Sequence, residues 1–281
     1  MKHCAKEAEP ASLLAFRAAR PTATWDQTRD DALNGGQQAY RDIKRGQLRS
    51  QGGLCAYCEQ SLATALDDAT LAATAGDQRV EHYHSKSDTT TPAINWALFW
   101  DNLWVTCLGG TKTLPADGAV PPHQRLEPLA ENLSCDAAKE DSPHALAPEG
   151  IILSPHEVPL YPHLFAYDDE GKIRPSPDCD KYTVPGNRLG STSALAQSTI
   201  THFNLNCVRL CNARSVIWRK LRDEIHSGIQ ARANPRDFRL RMARKYLTRR
   251  AGECWREYFT LFRESIGPVA DEHLRANNYA G

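Results

Sequence analysis

Long apolar runs are absent from these 281 residues. No stretch approaches the roughly 20 apolar residues that a membrane-crossing helix needs, so a helical membrane span is excluded. The opening, MKHCAKEAEPASLLAFRAARP, lacks a long apolar stretch and a small-residue cleavage site. No secretory signal is expected, and a cytoplasmic location is. No internal repeat is visible, which argues against stacked-repeat architectures. Net charge is missing too, since 34 Lys and Arg balance 34 Asp and Glu. What is present, 41% hydrophobic and 24% charged residues, is the composition of a folded globular chain. Its length allows one large domain or two small ones.

The zero net charge hides a segregation. Residues 55–141 hold five basic side chains against thirteen acidic ones, and residues 209–250 hold thirteen basic against three acidic. Two surfaces with different jobs would show this pattern, the basic one suited to a phosphate backbone and the acidic one to cations or a basic partner. The alternative is that the two surfaces neutralise each other within the fold.

Nine cysteines are an odd number in a large chain without an export signal. In a reducing compartment, grouped cysteines bind metal or do redox chemistry more often than they form disulfides. Cys55-x-x-Cys58 forms a tight turn that aims two sulfurs at one centre. Cys107 closes an aromatic strand and Cys135 opens the next helix, so Cys55, Cys58, Cys107 and Cys135 can supply a tetrahedral zinc site. Alternatively, Cys107 is only a small buried apolar side chain. A structural zinc supplies roughly 10–16 kcal/mol of apparent binding energy, which matters to a module rich in loops. Cys4, Cys179, Cys207, Cys211 and Cys254 have no assigned role, and core packing suits Cys207 and Cys211.

Periodicity places a helix over 37–50, stopped by Gly52-Gly53, then a helical segment reaching about Leu71. A strand is expected over 79–83 and another at Leu103-Trp104-Val105. Residues 108–134 read as a long loop, and 134–141 as a helix start capped by Ser134 or Asp136. Residues 1–35 are expected to wrap loosely over the body. The proline-rich stretch 143–188 reads as loops with short strands, including a hairpin turning at Glu170-Gly171. After Gly190 the texture is helical until Asn234-Pro235 breaks it, and helices over about 236–250 and 252–266 follow. The fold class expected is α+β, mainly helical. Its layout is an N-terminal helix with a metal-and-acid module over 1–145, an irregular connecting segment over 146–190, and a basic helical domain over 191–281.

Between the two cysteine pairs lies RVEHYHSKSD (79–88), which packs an acid, two imidazoles and an amine into six residues. In chain order the sequence offers CAYCE, then VEHYHSK, then WDNLWVTC, then CDAAK. That order resembles the HNH endonucleases, whose compact pattern is C-x-x-C, an acid followed by His, Asn-Leu, and a second cysteine pair followed by a basic residue. It is more similar still to the HNH subunit of Septu-type antiphage defence systems, also found beside some retrons. Those proteins show a CxYCE opening, an EH-x-x-x-K box, a W-x-NL box, a separated CD-x-x-K and a later segment like TITHFNLNCVRL. The resemblance runs from about residue 37 to 220, and its motifs are specific jointly rather than singly.

The resemblance implies a zinc-stabilised ββα-metal module and metal-dependent phosphodiester hydrolysis. In that chemistry water attacks in line and leaves a 5′-phosphate and a 3′-hydroxyl. A base must activate water and a cation must offset charge on the phosphate. His82, neutral near pH 7, suits the base. Glu81 and Asp136 offer hard oxygens to magnesium or manganese. Asn102 is expected to orient the His82 ring through its amide. Lys86 and Lys139 are candidates for the phosphate oxygens. His84 is a second ligand or a surface residue. Arg236, Arg239, Arg244 and Lys245 are the candidate nucleic-acid contacts in the basic helices, with docking on an ATPase as the competing use. An SMC/ABC-like ATPase is the partner the resemblance implies, and phage defence the setting. Two departures from the family pattern stand out: Ser85 where proline is common, and Asp136 where compact motifs carry asparagine, which makes the site more anionic. DNA is the expected substrate, an RNA such as tRNA the alternative. A non-catalytic zinc module that binds nucleic acid or a partner is the rival reading, but such a module has no need of Glu81, His82 and Asp136.

Overall fold

The computed structural model describes residues 1–73, 78–111, 130–139, 147–232 and 234–279. It is mixed in secondary structure and mostly helical. In chain order the elements are α1 (Ala11–Ala19), α2 (Trp25–Asp30), α3 (Gly36–Gln51), α4 (Asp68–Ala73), β1 (Gln78–His82), β2 (Leu103–Cys107), α5 (Asp136–Lys139), β3 (Phe165–Tyr167) and β4 (Ile173–Pro175). The helices α6 (Thr192–His202), α7 (Val208–Gln230), α8 (Pro235–Tyr246), α9 (Phe259–Ile266) and α10 (Pro268–Ala276) complete it. No helix among the described residues is long and apolar enough to cross a membrane.

Two antiparallel hairpins carry the strands. β1 pairs with β2 in a register that sets Gln78 opposite Cys107 and His82 opposite Leu103. β3 pairs with β4 around a turn in which Gly171 holds φ 78°, where the sequence places it. All five residues of β2 are buried, as expected for a strand covered on both faces. Helix α3 packs on β2, with Ala39, Ile43 and Leu48 turned inward. It ends at Gly52, which takes the left-handed conformation at φ 65°, followed by Gly53 at 77°. Only glycine adopts such angles cheaply, and the side chains of Trp255 and Cys254 pack where a Cβ on either glycine would stand.

The N-terminal segment is not a loose wrap. Leu13, Phe16, Ala23 and Trp25 from α1, α2 and their link form a buried cluster with Ala39, Ile43, Ala97, Leu98, Trp100 and Leu103. Thr24 accepts from the Gln27 amide while the Gln27 side chain accepts from the Thr24 amide, a reciprocal cap that starts α2 beside Trp25.

Four other expectations shift. The helical stretch after Gly190 is two helices, because Phe203 and Leu205 turn inward at the break and Asn204 takes φ 44°. Helix α9 begins at Phe259 rather than near 252, since Cys254 and Trp255 are drawn onto the end of α3. The segment after Cys58 is irregular until α4. Finally, α5 starts at Asp136 on Cys135, whose carbonyl accepts from Ala138 and Lys139; the Ser134 hydroxyl is not its cap but accepts from Arg209. The loop expected over 108–134 falls for residues 112–129 outside the described residues. A large buried core unites Met1, the Cys55–Cys58 turn, Trp104, the β3–β4 hairpin and the C-terminal helices through Leu274.

Candidate active site and metal centre

The Cys55–Cys58 turn, the end of β2 and the residue before α5 meet at one buried point. The Sγ atoms of Cys55, Cys58, Cys107 and Cys135 all lie within 4.8 Å of one another. Cys58 and Cys107 are 3.7 Å apart, Cys55 and Cys135 3.8 Å, and Cys107 and Cys135 3.8 Å. A tetrahedron with metal–sulfur bonds of about 2.3 Å has edges of about 3.8 Å, so the spacing fits a zinc-like ion. All four are free cysteines, not disulfides. Hydrogen bonds from Cys135, Cys55 and Cys58 bring the Cys107 thiol down, whereas burial pushes Cys58 and Cys135 up. The Cys107 amide also donates to Cys55 Sγ at 3.4 Å.

Residues that sequence reasoning did not single out brace this knot. The Cys135 amide donates to the Phe203 carbonyl, the Phe203 ring stacks on Tyr57 at 3.7 Å, and Asn204 donates to the carbonyls of Glu131 and Leu133. The connection between α6 and α7 therefore holds the turn that presents Cys135. The matched HFNLNC stretch was the available signal.

One strand over, Glu81, His82 and Asp136 line a single open cleft of about 290 Å³ with Val80, Ser85, Lys86 and Lys139. The structure thus brings together the three side chains expected to act jointly. Glu81 is buried and ion-paired to Lys139 at 2.5 Å. Asp136 lies 3.6 Å from Arg79. Burial holds the Glu81 carboxyl well above the usual carboxylate range; Lys139 opposes this and Asp136 adds to it. Two adjacent carboxylates, one forced upward, form a site that gains from a hard divalent cation. Among the described residues the four thiols are nevertheless the one group of three or more such ligands gathered tightly enough to hold an ion.

The His82 ring is buried, with Nε2 facing the Ala97 carbonyl at 3.3 Å and Trp25 packed edge-on at 4.7 Å. A carbonyl only accepts, so Nε2 carries the proton and the Nδ1 lone pair stays free. Burial, then the Lys86 charge, lowers the imidazole to about 3, against the pull of Ala97 and Asp136. The ring is therefore neutral at ordinary pH.

Three expected roles meet a different geometry. Asn102 makes no hydrogen bond to the His82 ring among the described residues. Its Oδ1 accepts from the His84 amide at 2.6 Å, and its Nδ2 donates to the His84 and Trp96 carbonyls at 2.9 and 2.8 Å. Lys139 is not a free phosphate contact, for its ammonium donates to Glu81 Oε1, the His82 carbonyl and the Tyr83 carbonyl at 2.5–2.7 Å, which uses all three protons. His84 faces Glu149 with Nδ1 and Asp88 with Nε2, at 2.7 and 2.6 Å, and stacks on Trp96, so both ring nitrogens are turned to carboxylates away from the Glu81–Asp136 cleft lining. Lys86 stands exposed on the cleft.

On the basic helices, Arg236 pairs with Glu272 at 2.6 Å, Lys245 with Glu224 at 3.0 Å, and Arg239 donates to the Ile266 carbonyl. Arg244 is exposed. Part of the positive charge is thus spent inside the fold.

No protein-family model matches the chain. A curated protein of Escherichia coli, named "Retron Ec83 putative HNH endonuclease", is 34% identical over 221 residues, which cover 76% of this chain and 78% of that protein. Identity at this level across most of both chains reflects common descent, and the chain belongs to the HNH endonucleases, enzymes that cut nucleic acid internally.

Proposed function

We propose that the chain is a metal-dependent DNA endonuclease whose hydrolytic site is the Glu81–His82–Asp136 cleft. The observation that supports it most is that these three side chains line one cleft, directly beside the four-thiol knot. In this reading β1, β2 and α5 are the ββα-metal unit. Zinc on the four thiols is structural and holds β2 and α5 in place.

The chain's own groups divide the work. His82, neutral and proton-bearing on Nε2, accepts the proton of the attacking water on Nδ1. The Ala97 carbonyl fixes the tautomer, and Asn102 fixes the Trp96 carbonyl next door and the His84 backbone. Glu81 and Asp136 hold a divalent ion, magnesium or manganese, which when bound offsets charge on the phosphate and on the leaving oxygen. Lys139 and Arg79 anchor those carboxylates. Lys86, on the solvent side, contacts the non-bridging oxygens. Exposed cations of the basic helices, Arg244 among them, follow the flanking backbone.

The named relative belongs to a retron, and by that kinship we read this chain as the effector nuclease of an antiphage defence complex, acting with an SMC/ABC-like ATPase. The test is cleavage of supercoiled DNA and of structured RNA by purified protein, with and without such a partner, in magnesium, manganese or EDTA. Metal-dependent cuts in DNA that leave 5′-phosphates are expected. Cuts confined to RNA would move the substrate, and no cutting under any condition would leave a binding module.

A further inference from the structure

Arg209, second residue of α7, is a half-buried cation beside the four-thiol knot that the mechanism does not use. Its two arms reach both halves of the knot: one terminal nitrogen donates to Gln60 Oε1 at 2.8 Å, the other to Ser134 Oγ at 2.7 Å. Gln60 lies two residues after Cys58 and itself faces the Cys58 sulfur at 3.7 Å. Ser134 immediately precedes Cys135. The third donor, Nε, is buried and has no hydrogen-bond partner among the described residues. Burial opposes the guanidinium charge, but the sulfurs of Cys107, Cys58, Cys207 and Cys135 outweigh it.

Four thiolates around one divalent ion carry a net charge of about −2. A charge of that size, wholly buried, needs an opposite charge close by. Groups just outside the ligand shell also set how firmly a metal is held. We propose that Arg209 is the counter-charge of the tetrathiolate centre: its charge lowers the electron-donor strength of the sulfurs and slows loss of the ion. Arg209 is a positioning residue; it touches neither substrate nor reacting atoms. The inference rests on the reading that the four thiols hold zinc.

The experiment uses the full chain as wild type, Arg209→Gln, Arg209→Lys and the pair Gln60→Ala/Ser134→Ala. Zinc release to a coloured chelator is timed, and each protein is also loaded with cobalt(II) and its absorption recorded. Removing a positive charge beside thiolates raises the sulfur donor levels. Arg209→Gln should therefore release zinc at least tenfold faster and move the sulfur-to-cobalt charge-transfer band to lower energy, while the visible bands stay tetrahedral. Arg209→Lys and the Gln60/Ser134 pair keep the charge, and their charge-transfer bands should stay near that of wild type. The pair removes both hydrogen-bonded arms without removing the cation, so it carries the test if Arg209→Gln does not fold. A Gln60/Ser134 pair that shifts the band as far as Arg209→Gln would overturn the charge role, and so would an Arg209→Gln protein indistinguishable from wild type. A wild-type chain that takes up neither zinc nor cobalt would overturn the four-thiolate reading and this inference together.

Discussion

Lys139 and Glu81 form a buried ion pair at 2.5 Å across the first turn of α5 and the end of β1. The same ammonium is bound by the carbonyls of His82 and Tyr83. It thus locks the Glu81 carboxylate, and the backbone on both sides of the Tyr83 Cα just after His82, to the helix that carries Asp136. Removing the cation leaves a buried carboxylate and two carbonyls unpaired, a loss of about 3–5 kcal/mol. Lys139→Met should lower the free energy of unfolding, read from denaturant titration, by that much. Adding Glu81→Gln should recover part of it, because the uncompensated charge is then gone. A Lys139→Met protein of wild-type stability, with only substrate affinity reduced, would show a phosphate contact instead.

In the proposed mechanism Asn102 stands at one remove from His82, the base. Its amide holds the His84 backbone on both sides and the Trp96 carbonyl, and Ala97, next in the chain, supplies the carbonyl that faces His82 Nε2. Asn102→Asp keeps the acceptor for the His84 amide and sets a second carboxylate oxygen against two carbonyls. It should cut at least about 100-fold more slowly than wild type, the scale expected when a reacting group shifts by about 1 Å. Single-turnover cleavage at saturating DNA reads this.

The pH profile follows from the His82 environment. A base works unprotonated, and burial with the Lys86 charge lowers this imidazole from 6.5 to about 3. A lowered pKa keeps the base unprotonated further into acid. A histidine of ordinary pKa would retain about a tenth of its free-base form at pH 5.5. Here the rate should hold nearly level from pH 7.5 to 5.5, provided zinc content is confirmed at each point. A half-maximal rate near pH 6.5 would contradict the assignment.

Salt dependence separates the two uses of the basic helices. Each phosphate contact contributes about 0.9 to the slope of log K against log salt. Arg244→Ala should lower the slope for DNA by about that amount. Arg236→Ala should leave it nearly unchanged, since Arg236 is paired with Glu272. Equal effects would mean that the internal ion pair opens on binding.

How far the site was legible depended on whether a signal was local. The Cys55–Cys58 spacing, the Glu81–His82 pair and the strand ending in Cys107 each declare themselves over a few residues, and the structure sets them where their types suggest. Trp25 was missed, although Thr24 and Gln27 carry a recognisable cap, because nothing local tells that an N-terminal helix returns to cover His82. Lys139 was legible as a cation near the site but not as a buried one, since burial is decided by the fold around it. The break between α6 and α7 lies in a stretch where the apolar spacing continues unbroken. The break is set by distant contacts: Phe203 and Leu205 turn into the core, and the Phe203 carbonyl accepts from Cys135 across 68 positions of chain.

The central claim is that His82 removes the proton from the attacking water while the thiol knot only holds the frame. The most direct measurement is cleavage of supercoiled DNA by wild-type and His82→Ala proteins in magnesium, with zinc content and thermal midpoint determined on the same preparations. A His82→Ala protein that is folded, holds one zinc and cuts at less than about a thousandth of the wild-type rate is the predicted result, at the upper part of the range for losing a general base. A His82→Ala protein that still cuts at the wild-type rate would contradict the account.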